Sequence, residues 1–430
     1  MSQVLRLGGN LVLTRLLVPD FFGLMAITNV FMLGLGLFSD IGLGPGVIRS
    51  ERSADPIFLN TAWTIQFIRG TLLALLGVVI AVPVANIYEM PVLRWMIVVC
   101  SFSFLFSSLS STAIFVHYKK IKLGKIIGME IGAQFIALLC MVSLAFIYRN
   151  VWALIAGSVL SATIKTIWSF FLGDNIRHKF VLEKEAVSEL LSFGKWVFVS
   201  TAMMFLATQA DRVLLGKFFT ITLFGVYNIA VIFAELPKQV INRLSNSVIF
   251  PVMSNFSDLP RHLFRKKISE KRKMILLPMA LLIAILASFG DVIVYVLYDE
   301  RYFQAGWMLP LLALGMWPFV LCASIDRCFF AIGKPKISAV CNFAKFIYMV
   351  TCVPLLFSYA GVLGGVVAVA ANDLPSYLVM SVGLKREKLS CFQQDVTSTV
   401  ALVGLVIFFV TLRLAFDMGL PGQSALVDGR

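Results

Sequence analysis

The chain is poor in charged residues and lacks short motifs on which many soluble enzymes depend. Charged residues make up 14% of the sequence, against about 25% in soluble globular domains. No phosphate-binding loop of the form GxxxxGK[ST] occurs, so the sequence does not predict nucleotide hydrolysis. The N-terminus shows no cleavable signal peptide pattern.

Cysteine and histidine are too few and too scattered to predict a metal site, a cofactor or a disulfide framework. None of the seven cysteines belongs to a CxxC pair, and six of them fall in apolar runs, where cysteine behaves as a small apolar residue. The three histidines fall in predicted cytoplasmic loops, which argues against a histidine proton relay within a membrane. These residues are Cys100, Cys140, Cys322, Cys328, Cys341 and Cys352 in apolar runs, Cys391 in a loop, and His117, His178 and His262.

What the chain has in abundance is apolar sequence, arranged in runs of about 20 residues. Hydrophobic residues make up 59% of it, and the mean hydropathy is +0.89. A helix rises 1.5 Å per residue, so ~20 apolar residues cross the ~30 Å hydrocarbon layer of a bilayer. We predict an all-α polytopic membrane protein with about thirteen spans, near 3–17, 21–46, 58–85, 92–116, 126–147, 151–173, 193–215, 220–245, 274–298, 305–331, 337–357, 361–383 and 397–416.

Lysine and arginine cluster in alternate gaps between the predicted spans. One set of gaps holds 22 basic residues and the other holds 7. Because cytoplasmic loops retain positive charge, the N-terminus is predicted inside and the C-terminus outside. The formal charge of +14 is spread over several loops, which argues against a nucleic-acid partner. The densest run, RHLFRKKISEKRK at 261–273, is expected to touch anionic lipid headgroups, with a regulatory or partner site as the alternative.

A duplicated pattern links the two halves of the chain. The segments RLL (15–17) and FGLMAI (22–27) in the first half parallel RVLL (212–215) and FGVYNI (224–229) in the second. Six predicted spans separate the copies, so both copies have the same orientation. The duplication predicts two parallel bundles related by an axis along the membrane normal; chance similarity of two apolar turns is the alternative.

These residues and three further segments resemble the oligosaccharide flippases of the MOP superfamily, the Wzx-, ExoT- and WzxC-like polysaccharide transporters. Five segments carry the resemblance, and with the spacing of the spans it covers nearly the whole chain. They are TRLLVPDFFG (14–23), LFSDIGL (37–43), LSFG (191–194), DRVLLG (211–216) with FGVY (224–227), and FPVMS (250–254). Such proteins usually have fourteen spans, so we expect either a sequence that is cut short or a protein that tolerates the loss of one span.

The resemblance implies a MATE/MurJ-like architecture of two pseudo-symmetric six-helix lobes, at 1–174 and 193–383. A cytoplasmic amphipathic linker at 175–192 joins them, and an extra span and tail follow at 384–430. The implied protein is a multi-pass transporter of the bacterial inner membrane. It flips a polyprenyl-diphosphate-linked oligosaccharide, an exopolysaccharide or O-antigen repeat unit, by alternating access through a cationic cavity. A polysaccharide polymerase and export machinery are the implied partners.

Ionisable residues inside the spans are the candidate site, because each costs about 2.5–3.5 kcal/mol on insertion scales. Arginine suits a diphosphate, since its planar fork makes two parallel charge-assisted hydrogen bonds. The predicted set that binds the diphosphate and sugar is Arg69, Lys165, Arg327, Lys345 and Arg6. The predicted ion-coupling residues are Glu130, Asp326 and Asp373.

Several of these residues have structural alternatives. Glu235 and Lys238 lie three residues apart on one helix face and are expected to form a structural pair. Arg69 and Lys165 are alternatively members of structural ion pairs, and Glu130 is alternatively a structural partner. Prolines and one glycine run predict kinked helices, at Gly42–Gly46, Pro237, Pro278, Pro310, Pro318 and Pro354.

Two other classes of function stay open. A membrane glycosyltransferase or polymerase needs catalytic residues in sizeable outer loops, and the outer gaps are the shortest in this chain. A drug or small-cation antiporter of the same superfamily needs a cavity lined by carboxylates and aromatic rings. The ionisable residues taken as candidates within the spans are seven basic and five acidic ones, namely Arg6, Arg69, Lys165, Lys238, Arg243, Arg327 and Lys345 against Asp40, Glu130, Glu235, Asp326 and Asp373. This balance favours an anionic substrate over a cationic one, and the short outer gaps argue against an enzyme.

Overall fold

The computed structural model of the protein describes residues 2–53, 55–120, 122–172, 178–245, 260–332, 334 and 336–422. These residues form helices joined by turns and loops, with no strand among them, which confirms the predicted all-α class. Nine helical stretches of this described part are long and apolar enough to cross a membrane, and one of them, Lys336–Arg386, contains two predicted spans. The segment FPVMS at 250–254 lies outside the described residues.

The chain divides into two compact units, Met1–Lys217 and Phe218–Arg430. The helices of the first unit are α1 (Ser2–Leu16), α2 (Pro19–Phe38), α3 (Leu43–Arg49), α4 (Pro56–Ile87), α5 (Pro91–Ser108), α6 (Ala113–Lys119), α7 (Leu123–Tyr148), α8 (Trp152–Ser169) and α9 (Lys184–Phe218). Those of the second are α10 (Ile221–Ala234), α11 (Leu236–Leu244), α12 (Arg261–Leu297), α13 (Ala305–Ala323), α14 (Asp326–Ala331), α15 (Lys336–Ala370), α16 (Leu374–Arg386) and α17 (Phe392–Ala415). The predicted lobe boundary near residue 192 stays a prediction.

The order of long and broken helices is the same in the two halves of the chain. Two predicted spans of the first half are each broken into two helices, α2 with α3 and α5 with α6. The matching spans of the second half are broken in the same way, into α10 with α11 and α13 with α14. One long helix lies between the broken spans in each half, α4 of 32 residues and α12 of 37 residues. This common order agrees with the duplicated sequence pattern.

The linker predicted at 175–192 leads directly into α9. Residues 178–183 are not helical, and α9 runs without a break from Lys184 to Phe218. Polar side chains of α4 hold the non-helical segment by accepting hydrogen bonds from its backbone N–H groups, which would otherwise lack partners. Lys179 donates to Asn60, Val181 to Thr64 and Glu183 to Thr61, at 3.1, 3.0 and 3.2 Å.

Small residues bring α4 and α5 close together. A Cβ atom on Gly70 would lie 2.2 Å from Ser108 Cβ, and a Cβ atom on Gly77 would lie 1.9 Å from Ser101 Oγ. Membrane helices pack through such small residues because apolar lipid offers them no hydrophobic driving force. This contact fixes the register of α4, which carries Arg69 next to Gly70.

A tight reversal separates the two predicted spans at 337–357 and 361–383. The helical course of α15 is interrupted at Ala360 and at Gly361, which has φ 55° and ψ −136°. Only glycine adopts this conformation without strain. A Cβ atom on Gly364 would lie 1.9 Å from the carbonyl oxygen of Leu356, so the two arms approach closely just beyond the turn.

Candidate functional site

Arg69 lies half-buried on α4, beside the end of α2. Its Nη2 donates to the carbonyl oxygen of Gly36 at 2.9 Å and to Ser39 Oγ at 3.0 Å, and its Nε donates to Ser39 Oγ at 3.2 Å. Asp40 is the carboxylate that stabilises its charge. Its Nη1 makes no hydrogen bond with the described part of the chain. Arg69 is therefore anchored by one side of its guanidinium and retains two N–H donors on the other.

The segment LFSDIGL at 37–43 forms the break between α2 and α3. Asp40 Oδ1 accepts a hydrogen bond from the backbone N–H of Gly42 at 2.9 Å. Gly42 has φ 62° and ψ 34°, a left-handed conformation that favours glycine. Ser39 Oγ donates to the carbonyl oxygen of Gly36 at 3.0 Å while it accepts from Arg69. The motif therefore ends one helix, starts the next and holds an arginine at the junction.

Four of the seven acidic residues in the predicted spans lie at helix breaks. Broken helices leave backbone polar groups that need partners within a bilayer, and transporters use such breaks to bind substrates and ions. Glu130, Asp211 and Asp291 are exceptions, since they lie within α7, α9 and α12. The other four are Asp40 between α2 and α3, Glu235 between α10 and α11, Asp326 at the start of α14, and Asp373 at the start of α16.

Lys165 and Arg6 are the other predicted anion-binding residues of the first unit. Lys165 is half-buried on α8, within an apolar helix, and Arg6 is exposed on α1. Neither side chain forms an ion pair with a carboxylate in the described ranges. No contact among these residues joins Lys165 or Arg6 to Arg69. The structure therefore presents Lys165 as an unpaired cation and does not show the first-unit set as one cluster.

Lys345 and Asp373 form an ion pair in the second unit. Lys345 Nζ lies 2.8 Å from Asp373 Oδ1, and their side chains are only 11% and 6% exposed. Lys345 comes from the first arm of α15, and Asp373 lies where α16 begins. The structure thus brings together a residue predicted to bind the anion and a residue predicted to couple an ion. In this state Lys345 is already neutralised by a carboxylate.

Asp326 and Arg327 lie together at the start of α14. Asp326 accepts a hydrogen bond from Ser338 Oγ of α15 and interacts electrostatically with Arg327. Both Asp326 and Arg327 are half-buried. Asp326 therefore ties the α13–α14 break to the neighbouring α15.

The remaining predicted acids have local partners. Glu130 is exposed on α7 and forms a hydrogen bond with Tyr118 of α6. Glu235 Oε1 lies 2.6 Å from Lys238 Nζ, which is the pair that their spacing predicts. The ammonium of Lys238 also lies 5.8 Å from the ring centroid of Phe319 on α13. Glu235 and Lys238 thus fasten the α10–α11 break to its neighbour.

Two buried ion pairs that the sequence analysis missed join α12 to α17. Arg272 Nη2 lies 2.8 Å from Asp395 Oδ1, with side chains 1% and 6% exposed. Arg413 donates two hydrogen bonds to the carboxylate of Asp291, from Nη1 to Oδ1 at 2.6 Å and from Nη2 to Oδ2 at 2.5 Å. The sequence analysis counted Arg272 among the basic residues of the run at 261–273, whereas the structure places it within α12. Each guanidinium is buried because it has a carboxylate partner.

A signal for Arg272 was present in the sequence. Phe264, Ile268 and Leu276 are buried at four-residue spacing on α12, and Arg272 occupies the same stripe. The distances along the helices also match a membrane. Nineteen residues separate Arg272 from Asp291 and eighteen separate Asp395 from Arg413, which is about 27–28 Å at 1.5 Å per residue. The two pairs therefore lie about one hydrocarbon thickness apart.

Comparisons with known proteins agree with this architecture. A family profile described as "Polysaccharide biosynthesis protein" matches residues 12–305. The teichuronic acid biosynthesis protein TuaB of Bacillus subtilis is 22% identical over 276 residues, 64% of this chain and 57% of TuaB. The amylovoran biosynthesis protein AmsL of Erwinia amylovora is 28% identical over 59% of this chain and 66% of AmsL. The lipopolysaccharide biosynthesis protein WzxC of Escherichia coli is 21% identical over 57% of this chain and 50% of WzxC. The chain thus spans half to two thirds of these relatives.

Solved structures share the fold at low sequence identity. The lipid II flippase MurJ in an inward closed conformation superposes with a TM-score of 0.73 at 14% identity, covering 95% of this chain and 91% of MurJ. An inward-facing multidrug resistance transporter of the MATE family superposes with a TM-score of 0.57 at 13% identity, covering 94% of this chain and 95% of that transporter. At these identities the similarity establishes the architecture, and it is the predicted one.

Proposed function

We propose a flippase function for this chain, which belongs to the polysaccharide biosynthesis protein family. In this proposal it flips a polyprenyl-diphosphate-linked oligosaccharide from the cytoplasmic to the outer leaflet of the bacterial inner membrane. The sugar and the diphosphate cannot cross hydrocarbon unaided, since polar and charged groups there cost many kcal/mol. The lipid tail need never leave the bilayer. The carrier must therefore supply a polar, cationic path for the head alone.

The observation that supports this proposal most directly is that Lys165 and Arg69 are half-buried cations within apolar helices and have N–H donors left for a ligand. Lys165 has no ion-pair partner in the described ranges, and Arg69 is held so that its Nη1 stays available. Such groups are costly in a membrane unless a ligand or water uses them. A diphosphate is a suitable ligand, because arginine donates to it in parallel and lysine adds a point charge.

The Lys345–Asp373 pair gives the second unit a means of coupling to protons. While the pair is intact, Lys345 offers little positive charge to a substrate. A proton taken up by Asp373 neutralises the carboxylate and releases Lys345 for the diphosphate. Loss of the same proton restores the pair and weakens the hold on the substrate. In this proposal Arg327 and Arg6 add positive charge, and Asp326 and Glu130 are further coupling candidates.

The remaining elements of the proposal follow from the predicted organisation. Lobes at 1–174 and 193–383 would rock against each other, which moves the site from one leaflet to the other. The breaks at 39–42, 235, 324–325 and 371–373 supply bending points next to charged residues. A polymerase and export machinery would receive the product outside. The names of the relatives support a polysaccharide product for this chain without specifying the glycan.

The test is flipping in proteoliposomes. The purified protein is reconstituted with a labelled polyprenyl-diphosphate oligosaccharide, and access of an external glycosidase is followed with time. The variants Arg69→Gln and Lys165→Gln remove one proposed contact each. Arg94→Gln is the matched control, because Arg94 is exposed at the start of α5.

We expect wild type and Arg94→Gln to expose the label faster than empty vesicles do. Each site variant should be about 10-fold slower or more, which corresponds to about 1.4 kcal/mol for one lost charge-assisted hydrogen bond. Equal rates for all variants would leave flipping intact and remove these two residues from the site. A wild-type rate equal to that of empty vesicles would contradict the proposed substrate, and efflux of a cationic dye would then test the antiporter alternative.

A further inference from the structure

A basic groove lies where the first turns of α12 meet the loop before α17 and the start of α17. It consists of two adjoining cavities of about 850 and 560 Å³ that share Arg265, Ser269 and Lys273. The charge pattern of the loops assigns this end of α12 to the cytoplasmic side. The residues that line both cavities belong to the second unit.

The cavity of about 850 Å³ is strongly cationic. Its ionisable lining consists of His262, one carboxylate and five basic residues. The carboxylate, Glu270, faces Lys267 at 3.5 Å. Arg265, Lys273 and Lys388 form no ion pair within the described ranges, so their charges are available to an outside anion. The five basic residues are Arg261, Arg265, Lys266, Lys273 and Lys388.

The cavity of about 560 Å³ has both polar and apolar lining residues. Gln394 lines it, and Gln394 Nε2 donates to the carbonyl oxygen of Ser269 at 2.9 Å. The Oε1 atom of Gln394 is buried without a hydrogen-bond partner among the described residues. Farther along α12 the wall is Leu277 and Ala280, and Leu277 is 59% exposed. Seven residues from Lys273 to Ala280 span about 10 Å of helix.

We propose that this groove binds one anionic glycerophospholipid of the leaflet on that side. The order of the lining matches such a lipid from head to tail. Arg265 and Lys273 face the phosphate, Gln394 lies at the level of the glycerol and ester groups, and Leu277 and Ala280 lie along the upper acyl chain. A free phosphate would use only the cationic end, so the continuous apolar wall identifies a lipid. The proposal is independent of what the protein transports.

The test is native mass spectrometry of the full chain in detergent, titrated with phosphatidylglycerol or with zwitterionic phosphatidylcholine. The groove variant is Arg265→Gln/Lys273→Gln. The matched control is Lys267→Gln/Lys271→Gln, which removes the same charge from the same helix at two exposed positions that do not line the groove. Competition with glycerol phosphate and with a polyprenyl diphosphate identifies the source of the bound phosphate.

Phosphatidylglycerol should occupy one site ahead of phosphatidylcholine. Because a basic residue near a membrane surface contributes about 1 kcal/mol to binding anionic lipid, the groove variant should weaken the first binding step about 30-fold. The control should weaken the first binding step less than about 3-fold, because Lys267 and Lys271 do not line the groove. Equal losses in the two variants would show diffuse surface attraction and overturn the groove. Equal binding of both lipids would overturn it as well. Displacement by glycerol phosphate at equal affinity, or stronger binding of the polyprenyl diphosphate, would overturn the assignment to a phospholipid.

Discussion

The buried pair between Arg272 and Asp395 makes a sharp prediction about the attachment of α17 to α12. Arg272 also donates from Nε to Ser324 Oγ at 2.8 Å and from Nη2 to the carbonyl oxygen of Leu321 at 3.0 Å. Asp395 accepts from Tyr377 Oη at 3.0 Å. Removal of either charged partner leaves the other buried and unpaired. Removal of both takes away both buried charges. Ser324 Oγ keeps its hydrogen bond to the carbonyl oxygen of Leu321 at 2.8 Å, while Tyr377 Oη loses its acceptor.

The expected magnitudes follow from this geometry. Arg272→Met or Asp395→Leu should each lower the free energy of unfolding by about 3–5 kcal/mol, the usual cost of an uncompensated buried charge. The double variant Arg272→Met/Asp395→Leu should lose less than either single variant, since an apolar replacement of a whole buried pair is often neutral. The exposed pair of Lys267 and Glu270 on the same helix is the control, and its removal should cost less than about 1 kcal/mol.

The assay is reversible unfolding by sodium dodecyl sulfate in mixed micelles, followed by circular dichroism. It gives the free energy of unfolding of wild type, both single variants and the double variant. A double variant that loses the sum of the two single losses would refute the reasoning. Such a result would mean that Arg272 and Asp395 act independently and that the 2.8 Å contact contributes no coupling.

Three further predictions use the same unfolding assay or the flipping assay. Lys345→Met should lower the free energy of unfolding more than Lys345→Met/Asp373→Leu does, since only the single variant leaves a buried charge. The opposite order would show that Lys345 and Asp373 do not stabilise the protein as a pair. Gly77→Leu should destabilise α4–α5 packing by about 1–3 kcal/mol or more, because its Cβ would lie 1.9 Å from Ser101 Oγ; an unchanged unfolding curve would contradict that contact. Gly361→Ala should lower the free energy of unfolding by about 1–3 kcal/mol from backbone strain alone, since a Cβ there meets nothing within 4 Å. The rate of flipping should fall only in proportion to the amount of folded protein that is lost.

The sequence could predict most of the spans, because ten of the thirteen coincide with described helical stretches that are long and apolar enough to cross a membrane. Of the prolines predicted to kink helices, Pro237 marked a helix break, since it lies in the first turn of α11, but the others did not. Pro278, Pro310, Pro318 and Pro354 all lie inside helices, since other groups in a membrane protein can satisfy the backbone that proline frees. Four breaks lie beside acidic residues, as at Asp40 and its glycine.

Side-chain partners were predictable only where they are local. Glu235 and Lys238 lie three residues apart, so helical periodicity alone predicts their contact. Lys345 and Asp373 are 28 residues apart, and their contact depends on the reversal at Gly361 and on the break before α16. The partner of Arg272 lies on a different helix, so no pattern along one helix could reveal it. Long-range pairing is set by which helices pack together, and a single sequence does not contain that information directly.

The central claim is that a cationic path selects the diphosphate of a lipid-linked oligosaccharide. The most direct measurement compares the flipping rate of one labelled oligosaccharide carried on a polyprenyl diphosphate and on an uncharged polyprenol, in the same proteoliposomes. We expect the diphosphate substrate to flip faster in wild type, and the preference to disappear in Arg69→Gln/Lys165→Gln. Equal rates for the two substrates in wild type, or an undiminished preference in the double variant, would contradict the account.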